Sequence, residues 1–290
     1  TPPPRPSTSD HRQAPGPRLR HQPTCRTGWG PRGLPAANAD RTYVIAQRRS
    51  TDLGERVWPE LSSPRTLLVP LGALEQHGPH LPLDTDTRVA AEVARRASLG
   101  TPDLVVTPPV TFGASGEHEG FPGTISIGHQ ALHTVLVEIG RSASRWARRV
   151  VFVNGHGGNL PTVDNAVTQL RAEGRDADWF ACVPPGEHDA HAGRTETSLM
   201  LALAPELVRV NEAKAGATAP LRDLLPELRR RGIAAVSPNG VLGDPSSASA
   251  AEGERLLNAM AEALRARVRA GGVATPADAP VAEGRAVQQR

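Results

Sequence analysis

The chain has 290 residues, 38% hydrophobic but only 3% aromatic, so it can build a sizeable core, and that core must be made of Val, Leu, Ile and Ala. The formal charge of +3 sits at the front: residues 1–41 hold seven Arg and two Asp, leaving 26 basic against 28 acidic side chains in the remainder, which gives the globular part no electrostatic footprint for nucleic acid. Two cysteines, Cys25 and Cys182, exclude a disulfide framework and a cysteine-ligated zinc site; no apolar run approaches the roughly 18 residues of a membrane span, and a cytoplasmic protein is expected.

Residues 1–40 contain nine Pro and little apolar periodicity, so they read as a disordered leader without the apolar core of a secretory signal. A globular domain is expected over 41–270. Thr66–Leu71 reads as a buried strand that runs into LGALEQHGPHLPLDTD. In extended chain, residues two apart share a side, so Glu75 and His77 reach one pocket together. Pro79 and Pro82 keep the next segment out of a helix and return Asp86 toward them. A Glu, a His and an Asp this close also occur on wet loops, so the segment alone does not establish a metal site.

Asp84 is the expected cap of a helix reaching Ala97, with Val89, Val93 and Ala97 on one face and Gly100 ending it. Leu104–Thr107 reads as a short strand. Gly113–Ile127, GASGEHEGFPGTISI, is a Gly-rich loop followed by a strand at Thr124–Ile127. His118 and Glu119 are its chemical residues, as a substrate-pocket wall or as a polar loop tip. Leu132, Val135, Leu136, Ile139 and Trp146 form a helical stripe that assigns Trp146 to the core.

Val150–Val153 is a buried strand ending in NGHGGN, and Pro161 suits the first turn of the following helix, whose apolar face is Leu160, Val163, Val167 and Leu170. The turn has neither GxGxxG nor a terminal Lys-Ser/Thr, so it is no nucleotide loop. A His at the carboxyl end of a parallel strand, here His156, is where open α/β sheets place ligand-binding groups. Asp178–Val183 is a further strand leading into PPGEHDAH. Ala192–Ser198 opens a helix that Pro205 stops, with Glu196 in its first turn, where an acid also suits the helix dipole. Pro220–Arg231 reads as a short amphipathic helix and Ile233–Asp244 as a strand and a turn. Ala248–Arg269 is a long closing helix with Leu256, Leu257, Met260 and Leu264 inward, and a disordered tail is expected over 271–290. The alternation of strands and helices argues one α/β domain with a mostly parallel sheet.

Glu75, His77, Asp86, His156 and Glu196 collect at strand ends. Three carboxylates and two imidazoles without thiolate suit Zn, Mn or Fe. Five ligands exceed the three that a single catalytic zinc takes from protein, so two divalent ions sharing one carboxylate fit better. Such a pair, about 3.5–4 Å apart, holds a hydroxide and polarises a carbonyl, which points to hydrolysis of an amide or related C–N bond without a Ser or Cys nucleophile. Cys182, in an apolar run, reads as an inert core residue. His191, five residues before Glu196, is placed to protonate the leaving nitrogen or hold an oxyanion. Arg194 and Arg222 are candidates for gripping a substrate carboxylate.

LEQHGPHLPLDTD, GEHEGFPGTIS, NGHGGN and HAGRTETS, in that order, resemble the creatininase family of metal-dependent amidohydrolases. The resemblance implies a three-layer α/β/α sandwich, a two-metal centre and a hexamer. It assigns one metal to Glu75, Asp86 and His156 and the other to His77, Asp86 and Glu196, with Asp86 bridging, and matches His191 to a substrate-site histidine. Creatininase itself carries a Glu where this chain has Gly158, and Pro184–His191 lacks the tryptophan that a flat creatinine ring would want. DWFACVPPGEHDAHAGRTETS and APLRDLLPELRRRGIAAVSPNGVLGDPSSASAAEG resemble the mycofactocin-system branch of the family, which implies a modified precursor peptide as substrate and loss of its C-terminal Val-Tyr dipeptide. A small-molecule amidohydrolase acting on a cyclic amide or formamide stands as the alternative, and a metal-stabilised scaffold without catalysis as a further one.

Overall fold

A computed structural model describes residues 51–271, apart from 64 and 187. The expected leader over 1–40 and nearly all of the expected tail lie outside the described residues. Four strands, β1 (Thr66–Leu71), β2 (Leu104–Val106), β3 (Arg149–Asn154) and β4 (Ala177–Ala181), form an all-parallel sheet in the order β2-β1-β3-β4. The helices are α1 (Thr85–Ser98), α2 (Gly128–Ala143), α3 (Leu160–Ala172), α4 (Arg194–Leu203), α5 (Leu221–Arg231), the single turn α6 (Ile233–Val236) and α7 (Ala250–Arg269).

Parallel strands need both faces covered, which is why β1 and β3 read as continuous apolar runs. Leu67, Val69, Leu71, Val150 and Phe152 pack on one face with Leu132 and Leu136 of α2 and Val163 and Leu170 of α3. Leu68, Val151 and Val153 pack on the other with Val93 of α1, Leu199 of α4 and Leu257, Met260 and Leu264 of α7. The result is the expected α/β/α sandwich. Pro70 is tolerated inside β1 because β2 has already ended: pairing with β2 stops at Leu68 opposite Val106, so the missing N–H breaks no ladder there.

Three local expectations fail. Trp146 is 37% exposed, because α2 ends at Ala143 and Ser144 Oγ donates to Gly140 O at 2.7 Å, which takes position 146 out of the helical phase. Thr124–Ile127 is no strand: only Ile125 bridges, to Leu74, while Ser126 Oγ accepts from the N–H groups of Ser115 and Gly128. Ile233–Asp244 forms the turn α6 and then a single bridge from Leu242 to His191 rather than a strand.

At the amino ends of the strands, the buried Asp178 carboxylate receives Arg149 of β3 at 3.2 Å, Arg171 of α3 at 2.8 Å and Arg267 of α7 at 3.0 Å. One side chain thus joins the sheet to both helix layers, and removing it strands charge that folding has partly desolvated. Asp178→Ala is expected to lower stability by about 3 kcal/mol, read as a shift of the denaturant midpoint; a midpoint unchanged from the parent would show that the cluster carries no stability.

Candidate metal centre

The carboxyl ends of β1 and β3 lie side by side, with Leu71 opposite Asn154, and the chain leaves each of them into a candidate motif. After β1 come Glu75 and His77, both fully buried. Asp86 lies in the first turn of α1. That turn presses against the end of β3 so closely that a Cβ on residue 155 would meet Asp86 O at 2.4 Å, so Gly155 is what lets Asp86 reach His156. Asn159 fixes the same corner: its Nδ2 donates to Gly72 O at 3.0 Å and Asn154 Oδ1 at 3.2 Å, and its Oδ1 accepts from Ala114 N at 2.9 Å. Glu196 stands in the first turn of α4 and accepts from Ala192 N at 2.6 Å.

All five sequence-predicted ligands therefore meet. His77 Nε2 is 3.0 Å from Asp86 Oδ1 and 3.9 Å from Glu196 Oε2. His156 Nδ1 is 3.1 Å from Glu75 Oε1 and 3.2 Å from Asp86 Oδ2. The two oxygens of Asp86 thus face different histidines. Each of these imidazoles is held by its other nitrogen, which donates to a backbone carbonyl: His77 Nδ1 to Glu75 O at 3.1 Å and His156 Nε2 to Ala114 O at 3.2 Å. That is how proteins orient a metal-ligating imidazole.

Glu75 Oε1 and Oε2 and Asp86 Oδ2 are buried and have no hydrogen bond among the described residues, although imidazole nitrogens come within 3.2 Å of Glu75 Oε1 and Asp86 Oδ2. A buried carboxylate oxygen without a hydrogen bond is costly unless the group is protonated or faces positive charge. The donor set, mixed imidazole and carboxylate, fits a divalent metal ion, and Glu75–His77–Asp86 and His77–His191–Glu196 are each grouped closely enough to hold one.

Among the protein groups alone, protons on the imidazoles balance the buried carboxylates. Burial pulls the His77 imidazole down, but the adjacent Asp86 carboxylate overrides it and pushes it up to about 10. Burial acts the same way on His156, and Glu75 and Asp86 raise it well above the ordinary range. Burial works to raise Asp86, yet His77 and His156 hold it well below the usual carboxylate range. Burial pushes Glu75 up, and pushes Glu196 up to about 7.

Gln76 has no role in the sequence reading, and the structure places it at the hub. Its Nε2 lies 3.0 Å from His118 Nδ1, 3.1 Å from His191 Nε2 and 3.1 Å from Gly240 O, and its backbone carbonyl accepts from His191 Nε2 at 2.8 Å. With the two amide hydrogens used on His118 and Gly240, the network sets His191 as the Nε2–H tautomer and turns its Nδ1 toward Glu196 Oε2, 3.9 Å away. The only sequence signal was position: alternation sends Gln76 to the side opposite its two neighbours. His118 is buried in the cluster, with Nε2 3.1 Å from Glu75 Oε1 and its ring 4.6 Å from that of His191; burial, then the charge of His156, lowers it to about 3. Glu119 is exposed at the cavity wall, while Glu117 faces His156 at 3.6 Å. Arg194 pairs with Glu252 at 3.6 Å instead of lining the cavity, whereas Arg222 does line it. Cys182 is half-buried against the core, and burial pushes its thiol up, away from reactivity.

A family model for creatininase, described as creatinine amidohydrolase, matches residues 54–268. The chain belongs to the creatininase family. Among family relatives, the mycofactocin precursor peptide peptidase of Mycolicibacterium smegmatis is 57% identical over 208 residues, 70% of this chain and 84% of the relative. The creatinine amidohydrolase of Pseudomonas putida is 30% identical over 257 residues, 76% of this chain and 97% of the relative. A solved creatininase described with Mn superposes with a TM-score of 0.63 at 28% identity, covering 77% of this chain and 98% of that one.

Two predictions follow the geometry. In chelated protein at pH 7, His77 is protonated because its value of about 10 lies above the pH, and Glu196, at about 7, is half protonated. A divalent ion needs both deprotonated, so binding releases protons and affinity rises with pH, about tenfold per pH unit for each proton displaced; calorimetry in buffers of different ionisation enthalpy measures the number, and pH-independent binding from 6 to 8 would contradict it. Gln76→Leu removes the amide that sets His118, and is expected to lower kcat about 10–100-fold while atomic absorption still finds parental metal content.

Proposed function

We propose that this chain is a metal-dependent peptidase that removes the C-terminal Val-Tyr dipeptide from the modified mycofactocin precursor peptide. The observation that carries it is the convergence of Glu75, His77, Asp86, His156 and Glu196 in a chain 57% identical to a precursor peptide peptidase. Glu75, Asp86 and His156 would hold one divalent ion and His77, Asp86 and Glu196 a second, with Asp86 offering one oxygen to each. Zn, Mn and Fe all suit such donors. When bound, the ions supply Lewis acidity, lowering the pKa of water toward about 7 and polarising the scissile carbonyl.

The protein's own contribution is orientation and proton handling. With its Nε2–H committed to Gln76 O, His191 rests neutral, since burial and then the charge of His77 hold it well below its ordinary range, and its Nδ1 would take a proton from the attacking water and pass it to the leaving nitrogen. The cavity in front of the site has a volume of about 1880 Å³, above the roughly 300–1,000 Å³ of small-molecule sites, which supports a peptide substrate. Among the described residues no Phe, Tyr or Trp lines it, which, with Gly158, argues against creatinine. Arg222 and Arg229 of α5 line the same cavity and suit a peptide carboxylate. No described helix is long and apolar enough to cross a membrane; we place the enzyme in the cytoplasm, as a homo-oligomer and, by family likeness, a hexamer.

The test is cleavage of the matured precursor by metal-loaded protein, followed by mass spectrometry. Val-Tyr is expected, with loss of product after chelation, recovery on metal add-back, and a fall of at least about 10³-fold in Asp86→Ala, which removes the shared ligand. Absence of the dipeptide from a competent substrate would overturn the peptide reading, and turnover of creatinine or a formamidopyrimidine in its place would favour the small-molecule amidohydrolase. Full activity after chelation would overturn metal dependence.

A further inference from the structure

We infer that Glu117 is a positioning residue of this centre: its carboxylate occupies the space that any side chain at position 158 would need and acts through the outer nitrogen of His156. The inference rests on the metal reading above.

The short helical turn Gly116–His118 sends two consecutive side chains into the site. His118 enters the cluster beside Glu75, and Glu117 brings Oε1 to 3.6 Å from His156 Nε2. A Cβ built on Gly158 would lie 2.5 Å from Glu117 Oε1, 2.4 Å from His156 Nε2 and 2.6 Å from Ala114 O. Position 158 therefore has no room for a side chain between the His156 ring, the Ala114 carbonyl and the Glu117 carboxylate. Two loops compete for one volume, and in this chain the Gly-rich loop fills it with a carboxylate.

The turn is not adrift on the surface. The α5–α6 junction packs on it at Gly232, where a Cβ would lie 2.9 Å from Glu117 O. Glu117 makes no other ion pair among the described residues, and it points toward a pocket that already holds Glu75 and Asp86. A third acid there is repelled unless the site carries positive charge. His156 donates through Nε2 to Ala114 O, and its Nδ1 faces Glu75 and Asp86. A negative charge beside the Nε2–H side makes Nδ1 the stronger donor to a cation.

The test is competition between full-length protein and a chelating dye for Mn²⁺ alone. Glu117→Gln keeps the shape and removes the charge, and is expected to weaken the tightest Mn²⁺ site about 10–100-fold, with the thermal unfolding of the chelated protein unchanged. Glu117→Asp, which keeps the charge, is expected to retain most of the affinity. Parental Mn²⁺ affinity in Glu117→Gln would overturn the inference while leaving the metal reading intact. Failure of the parent itself to bind Mn²⁺ or Zn²⁺ would overturn both.

Discussion

The constraint on which the structure turns is the burial of Glu75 and Asp86 where hydrogen bonds do not reach all of their oxygens. Taking two carboxylates out of water costs several kcal/mol each unless positive charge accompanies them. In the protein alone that charge comes from protons on His77 and His156; in the proposed enzyme divalent ions would supply it. Folding, protonation and metal binding are thus linked through one small volume, and a residue that shifts any one of them shifts the others.

The rest of the fold serves to hold that volume open and rigid. Parallel β1 and β3 end together, and loops leaving the carboxyl ends of adjacent strands necessarily converge. Asn159 ties both ends to the Gly-rich loop through a single side-chain amide. The ligand imidazoles hang on backbone carbonyls rather than on flexible side chains, which fixes both tautomer and direction. At the far end of the strands Asp178 binds the sheet to its two helical layers.

Around the ligands lies a polar network that runs between distant segments. Gln76 joins the loop after β1 to His118, His191 and Gly240, and the reciprocal backbone bonds between His191 and Leu242 pin the catalytic loop to the segment after α6. This explains why Ile233–Asp244 leaves strand geometry: Leu242 is needed as a single clamp on His191, not as part of a ladder. Ser126 likewise gives up strand pairing to cap the start of α2 and hold the turn that delivers Glu117 and His118.

The sequence pattern alone determined an α/β domain with a parallel sheet, because period and strand length follow from burial on two faces, while its three layers came from the family resemblance; it also singled out the acids and imidazoles that lie near one another at the strand ends. It located α1, α3 and α7 to within a few residues, since apolar stripes and capping residues are local signals. It misplaced Trp146, because whether a helix stops at Ala143 depends on a hydroxyl bonding back to Gly140. Only the tertiary structure decided the roles of Gln76 and Glu117 and the meaning of Gly158, since each depends on a contact between segments with no common sequence signal: an amide between two imidazoles, and a carboxylate seated over a missing side chain.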